Sequence, residues 1–258
     1  MTSKRRKLFI VSAAVSLAVL SAAAWQVWHS RSALWRIVST SCVPAASSGG
    51  TGRCAEVALS TGVDTGHVVF KDRNGPLQYL LMPTRPVTGI EDPFLLSAGA
   101  PGYWAEAWRA KRWMDTAQGR PVPREAVAIT VNSAWARSQG QLHLHVSCVR
   151  PDLRAFLASL PASRNDAWTP IPGGWQGHPY EVRRLMAATL DGQDLFKDTA
   201  RDHPDDMGRQ ALAAIAARID GQDGFWLLRT HLDGSALWLG AIEGDVQDHA
   251  CGEVRQPS

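Results

Sequence analysis

Residues 141–148 read Gln-Leu-His-Leu-His-Val-Ser-Cys, an alternation of polar and apolar side chains with a period of two. An extended strand keeps such a pattern on separate faces, so Gln141, His143 and His145 point one way while Leu142, Leu144 and Val146 point the other. Burying the leucine face fixes the register, because a slip of one residue would carry both histidines into the core. The chain must therefore build a sheet around this segment and leave two imidazoles on one wall.

Neighbouring segments supply that sheet. Residues 126–132 alternate in the same way, with Val127, Ile129 and Val131 on the apolar side. If both apolar faces cover one core, Thr130 and Asn132 join the histidine wall, and residues 133–140 form the connecting loop. Residues 67–72 and 78–83 flank Arg73-Asn74-Gly75-Pro76, a turn signal between apolar runs, and read as a hairpin. Residues 103–118 place Trp104, Ala107, Trp108, Lys111 and Met114 at i, i+3, i+4 spacing, the mark of a helix lying on a sheet. Downstream, residues 153–160, 180–190 and 194–200 read as helices and residues 170–178 as a glycine- and proline-rich loop. Residues 211–219 and 225–232 read as a second hairpin, although the first run is alanine-rich enough for a helix. The expected class is α+β, an antiparallel sheet with flanking helices.

The N-terminus is of a different kind. Lys4-Arg5-Arg6-Lys7 precedes residues 8–28, which carry no charge and as a helix span about 31 Å, enough to cross a bilayer. The run exceeds the roughly 7–15 apolar residues of a cleavable signal and reads as an uncleaved transmembrane anchor, with Ala22-Ala23-Ala24 as the place where cleavage would fall. The positive-inside bias keeps residues 1–7 cytoplasmic and sends the rest across the inner membrane to the periplasmic side. Residues 29–66 then hold a short juxtamembrane helix and a cysteine-bracketed loop, and residues 67–258 the main domain. The net charge is +3, of which the basic cluster contributes +4, leaving 3 − 4 = −1 for the remainder. A nearly neutral domain argues against extended nucleic-acid binding.

Four cysteines in an oxidising compartment allow three pairings. Cys42 and Cys54 bracket a polar, glycine-containing loop that a bridge would pin, worth about 3 kcal/mol on the chain-entropy account. That pairing leaves Cys148 for Cys251; free buried thiols are the alternative.

Three readings of the wall compete. A neutral imidazole can attack phosphorus through one ring nitrogen while an acceptor holds the proton on the other, and a second histidine two residues away can steady the phosphate or protonate the leaving oxygen. Asn132 and the loop of Ser138 and Gln139 can hold nonbridging oxygens. A zinc site would use His143, His145 and Cys148, but Cys148 faces the opposite side of a regular strand. In the third reading these are ordinary histidines on a solvated sheet face.

The segments Asn74 to Thr84, Val131-Asn132-Ser133, Gln141 to Asp152, Pro172-Gly173-Gly174 with His178, and Gln247 to Cys251 together resemble the CDP-diacylglycerol pyrophosphatase family, a membrane-anchored branch of the histidine-triad superfamily. The resemblance implies a HIT-like catalytic domain over residues 67–258 that hydrolyses the diphosphate of CDP-diacylglycerol to CMP and phosphatidate without a cofactor or metal. It implies that His143, at the middle triad position, forms a nucleotidyl intermediate aided by His145. Gln141 stands where the superfamily has its first histidine and cannot ionise at neutral pH. Asn132 matches a substrate-positioning asparagine. Gln141, Arg85 and His178 are candidate substrate contacts, and Arg183 and Arg184 are solvated helix residues or contacts for anionic lipid or phosphate. The competing functions are another nucleoside-diphosphate hydrolase of the superfamily and a non-enzymatic anchored interaction domain.

Overall fold

The computed structural model describes residues 30–161, 167–234 and 237–255. The expected anchor at residues 8–28 lies outside them; among the described residues no helix is long and apolar enough to cross a membrane.

Among the described residues ten strands build one antiparallel sheet: β1 (Glu56–Ala58), β2 (His67–Lys71), β3 (Tyr79–Pro83), β4 (Val127–Val131), β5 (Leu144–Val149), β6 (Thr169–Pro170), β7 (Glu181–Leu185), β8 (Gln210–Ile219), β9 (Gln222–His231) and β10 (Gln247–Asp248). Their spatial order is β1-β2-β3-β5-β4-β8-β9-β7-β6, with β10 beside the end of β5. The first expected hairpin is β2–β3 and the second β8–β9. The alanine-rich run is a strand because its small side chains face bulky ones across the pair, Ala214 against Leu227 and Ala216 against Phe225. Asp220 and Gly221 close this hairpin at φ 51° and 77°, as a primed two-residue turn requires.

The sheet has two unlike faces. On the first, Val69, Leu81, Ile129, Leu144, Val146, Leu212 and Leu227 form the main core. It is roofed by α3 (Tyr103–Arg109), α4 (Lys111–Gln118) and α6 (Leu195–Asp202), and the Trp104 and Phe196 rings meet at 5.4 Å. Each large side chain buried there contributes roughly 1.5–3 kcal/mol. On the second face, α1 (Ala33–Ile37), a π-helical turn (Val38–Cys42) and α2 (Val43–Ala46) cover one end, Leu34 and Val38 packing on Val68, Leu80 and Met82. The other end is covered by α5 (Pro151–Ala158) and α7 (Ile242–Val246) over Ala213, Ile215 and Leu228. Cross-strand register runs Leu80–His145–Thr130–Ala213. His145 therefore lies in the gap between two apolar covers.

Both disulfides form, Cys42–Cys54 beneath α2 and Cys148–Cys251 from β5 to the segment before α8 (Gly252–Arg255). The second removes Cys148 from any metal site.

Two expected elements differ. Residues 103–118 are two helices rather than one: the backbone tightens at Ala110 (ψ −13°), and Gly119 at φ 73° ends the second. Residues 180–190 are not a helix; Glu181–Leu185 is β7, paired with β9. Its alternation is disguised, because the side opposite Val182 carries Glu181 and Arg183, paired with Arg229 and Asp198. Arg183 and Arg184 are thus strand residues, and Arg183 also lies over the Trp168 ring. A charged face satisfied by ion pairs mimics the solvated face of a helix in sequence.

Candidate active site

His143 and His145 sit on the second face with ring centroids 4.8 Å apart, both largely buried. The Nδ1 of His143 is 2.7 Å from the backbone oxygen of Gln141. A carbonyl only accepts, so Nδ1 carries the proton and Nε2 keeps its lone pair. Burial above all, with help from the neighbouring His145, lowers the His143 pKa to about 3. The ring is held neutral in the tautomer a nucleophile needs.

Gln141 contributes its backbone rather than its side chain. Its amide is buried, donating to the carbonyls of Pro83 and Arg85 and accepting from Val87 N–H. It ties β3 to the histidine segment.

His145 is held from the other side. Its Nδ1 lies 3.1 Å from Glu243 Oε1, and its buried Nε2 has no partner among the described residues. Glu243 is the residue that sequence reasoning missed. It stands on α7, accepts at Oε2 from Asn132 Nδ2 (3.0 Å), and donates its backbone N–H to Asn132 Oδ1 (3.1 Å). Gln78, fully buried, donates to Asp72 and Glu243 and accepts from His249 Nδ1. His249 Nε2 comes within 3.4 Å of Glu243. Burial alone would raise the Glu243 pKa; the hydrogen bond and charge of His145, then His249 and Gln78, outweigh it and hold the group at about 2.

Wall and loop enclose a cavity of about 760 Å³ lined by Asn132, Ser138, Gln139, His143, His145 and Glu243, among others. Asn132, Ser138 and Gln139 are therefore brought together with the histidines. Arg85 is not: its guanidinium stacks 4.0 Å from the Phe94 ring centroid. His178 is not either; it lines a separate cavity of about 510 Å³, stacks on Trp238 at 3.6 Å, and bonds Asp245 through Nδ1 at 2.8 Å.

Two expected results follow from these groups. Glu243→Gln keeps the shape but removes the charge facing His145, and should lower kcat by roughly 10²-fold, about 2.7 kcal/mol, measured as steady-state CMP release. The second concerns acid. Folded His143 binds a proton near pH 3 against about 6.5 when unfolded, and folded Glu243 near 2 against 4.5. The unfolded chain thus binds more protons between pH 6.5 and 2, and stability falls as pH falls through that window. The urea midpoint should be lower at pH 4 than at pH 7, and His143→Gln should flatten the upper part of the slope.

A family model described as CDP-diacylglycerol pyrophosphatase matches residues 29–255. A protein of Yersinia pestis named CDP-diacylglycerol pyrophosphatase is 40% identical over 223 residues, covering 85% of this chain and 83% of that protein. With a buried neutral histidine, its carboxylate-bound partner and a match over most of its length, this chain belongs to the CDP-diacylglycerol pyrophosphatase family.

Proposed function

We propose that the chain hydrolyses CDP-diacylglycerol to CMP and phosphatidate through a cytidylyl-histidine, as the histidine-triad superfamily does with its nucleotides. The observation that carries this is the fixed tautomer of His143, which lines the cavity with its Nδ1–H held by the Gln141 carbonyl and a lone pair left on Nε2. Nε2 attacks the phosphorus next to cytidine. A P–N bond forms, the bond to the bridging oxygen breaks, and its electron pair leaves with phosphatidate. His145, when protonated, donates from Nε2 to a phosphoryl oxygen while Nδ1–H stays on Glu243. Asn132 positions Glu243, and Ser138 and Gln139 border the transferred group. Water then attacks the same phosphorus: a P–O bond forms, the P–N bond breaks with its electron pair returning to Nε2 of His143, one water proton is released to solvent, and CMP leaves.

The basic cluster and apolar run at residues 4–28 support an inner-membrane anchor with the catalytic domain on the periplasmic side, where both disulfides persist. Rapid quenching of the enzyme with CDP-diacylglycerol in heavy-oxygen water, followed by mass spectrometry, tests the reaction. A cytidylyl adduct on the peptide bearing His143 and heavy oxygen in CMP are expected. Heavy oxygen in phosphatidate, with no adduct, would place the attack on the other phosphorus and overturn the scheme.

A further inference from the structure

The catalytic cavity has a wall that the nucleotide chemistry does not use. Ala33 and Ile37 of α1 line it beside the loop of Ser138 and Gln139. Helix and loop are stitched together: Leu34 N–H donates to Gln139 Oε1 at 3.2 Å, and Gly140 N–H to Arg31 O at 2.7 Å. Ala33, Ile37 and Phe70 of β2 are only partly buried. Phe70 lies across from Leu80, which lies across from His145, so an apolar strip runs from the histidine to the helix.

Cations border the same strip. Arg53 and Arg73 are exposed, line the cavity, and pair with no carboxylate among the described residues. Lys71 Nζ donates to the carbonyls of Asp72 and Gly75, which leaves one of its three hydrogens for another acceptor. Elsewhere the cavity is lined by Asn132, Ser138 and Gln139, with the Glu243 carboxylate held on Asn132. The lining is thus uneven: Arg53, Lys71 and Arg73 outnumber Asp72 beside the apolar strip, which suits an anion with a greasy substituent, while Asn132, Ser138 and Gln139 offer hydrogen-bonding groups suited to a sugar or base. Ser30 also lines the cavity, with His29 between it and the uncharged run at residues 8–28.

From this we infer that α1 with Phe70 forms the subsite for the phosphatidyl half of the substrate, Arg53, Lys71 and Arg73 holding the lipid-side phosphate while Ala33 and Ile37 cover the glycerol and the first methylenes of the acyl chains. The inference rests on the hydrolase reading above. It makes the helix beside the histidines the element that selects a lipid over a soluble nucleotide.

The test compares kcat/KM for CDP-diacylglycerol in detergent micelles with that for CDP-glycerol, which lacks acyl chains, in wild type and in Ile37→Gln, Ala33→Gln and Arg53→Gln/Arg73→Gln. Unfolding midpoints establish that each variant is folded. The two helix variants should reduce the diacyl-to-glycerol ratio about tenfold, because they wet a surface that only the acylated substrate covers. The arginine pair should lower both substrates by a similar factor, since both carry the second phosphate. An unchanged ratio in both folded helix variants, with wild type still cleaving the lipid, overturns the subsite and leaves the hydrolase reading standing. Failure of wild type to release CMP from either substrate overturns both.

Discussion

Replacing His143 with alanine should reduce kcat/KM for CMP release by roughly 10⁴–10⁶-fold, the scale on which loss of a covalent nucleophile falls, or about 5–8 kcal/mol. In the proposed scheme Nε2 of His145, unpartnered among the described residues, serves a phosphoryl oxygen rather than the phosphorus. The Nδ1 of His145 is engaged by Glu243, and His249 is committed to Gln78 and Glu243. His145→Ala should cost less, roughly 10²–10⁴-fold, because it removes a proton donor and leaves the nucleophile in place. Steady-state CMP release distinguishes the two, and the labelled adduct should vanish only in His143→Ala. A His143→Ala enzyme with near-normal turnover would end the covalent scheme.

The second large effect is on stability. Cys148→Ala/Cys251→Ala opens a loop of 103 residues, which on the chain-entropy account removes about 4–5 kcal/mol from a fold whose total stability is of order 10 kcal/mol. The urea midpoint should drop far more than for Cys42→Ala/Cys54→Ala, whose loop spans 12 residues and is worth about 3 kcal/mol on the same account. Activity should suffer too. The bridge anchors the segment whose His249 bonds Gln78, and the backbone of His249 lies so close to Gly75 that a Cβ there would overlap its carbonyl. Equal midpoints for the two double variants would contradict the loop-length argument.

What the sequence made legible was local. The alternation at residues 141–148 placed both histidines on one face, and the same arithmetic on residues 126–132 placed Asn132 beside them. Both hairpins carried their own turn signals. The carboxylate was hidden because Glu243 sits in a five-residue helix with no distinguishing pattern, and its relation to His145 exists only after the chain has turned back on itself. One signal did point there: pairing Cys251 with Cys148 places His249, two residues before Cys251, beside the histidine strand. Strand β7 was misread for the opposite reason. Its charges looked solvated, and their partners on α6 and β9 are distant in sequence. Arg85 and His178 look like ligand contacts as residue types, yet their neighbours Phe94, Trp238 and Asp245 already occupy them.

Glu243 follows His145 by about a hundred residues along the chain. At roughly 5–20 residues per second, a ribosome finishes the histidine strand some 5–20 s before it delivers the helix that completes the wall. During that interval the emerging polypeptide already carries a histidine able to meet phosphorus but lacks the carboxylate that steadies its neighbour and the cystine that locks the tail. Completion of the wall is therefore a late event in the life of each molecule, and an interrupted translation product would lack it.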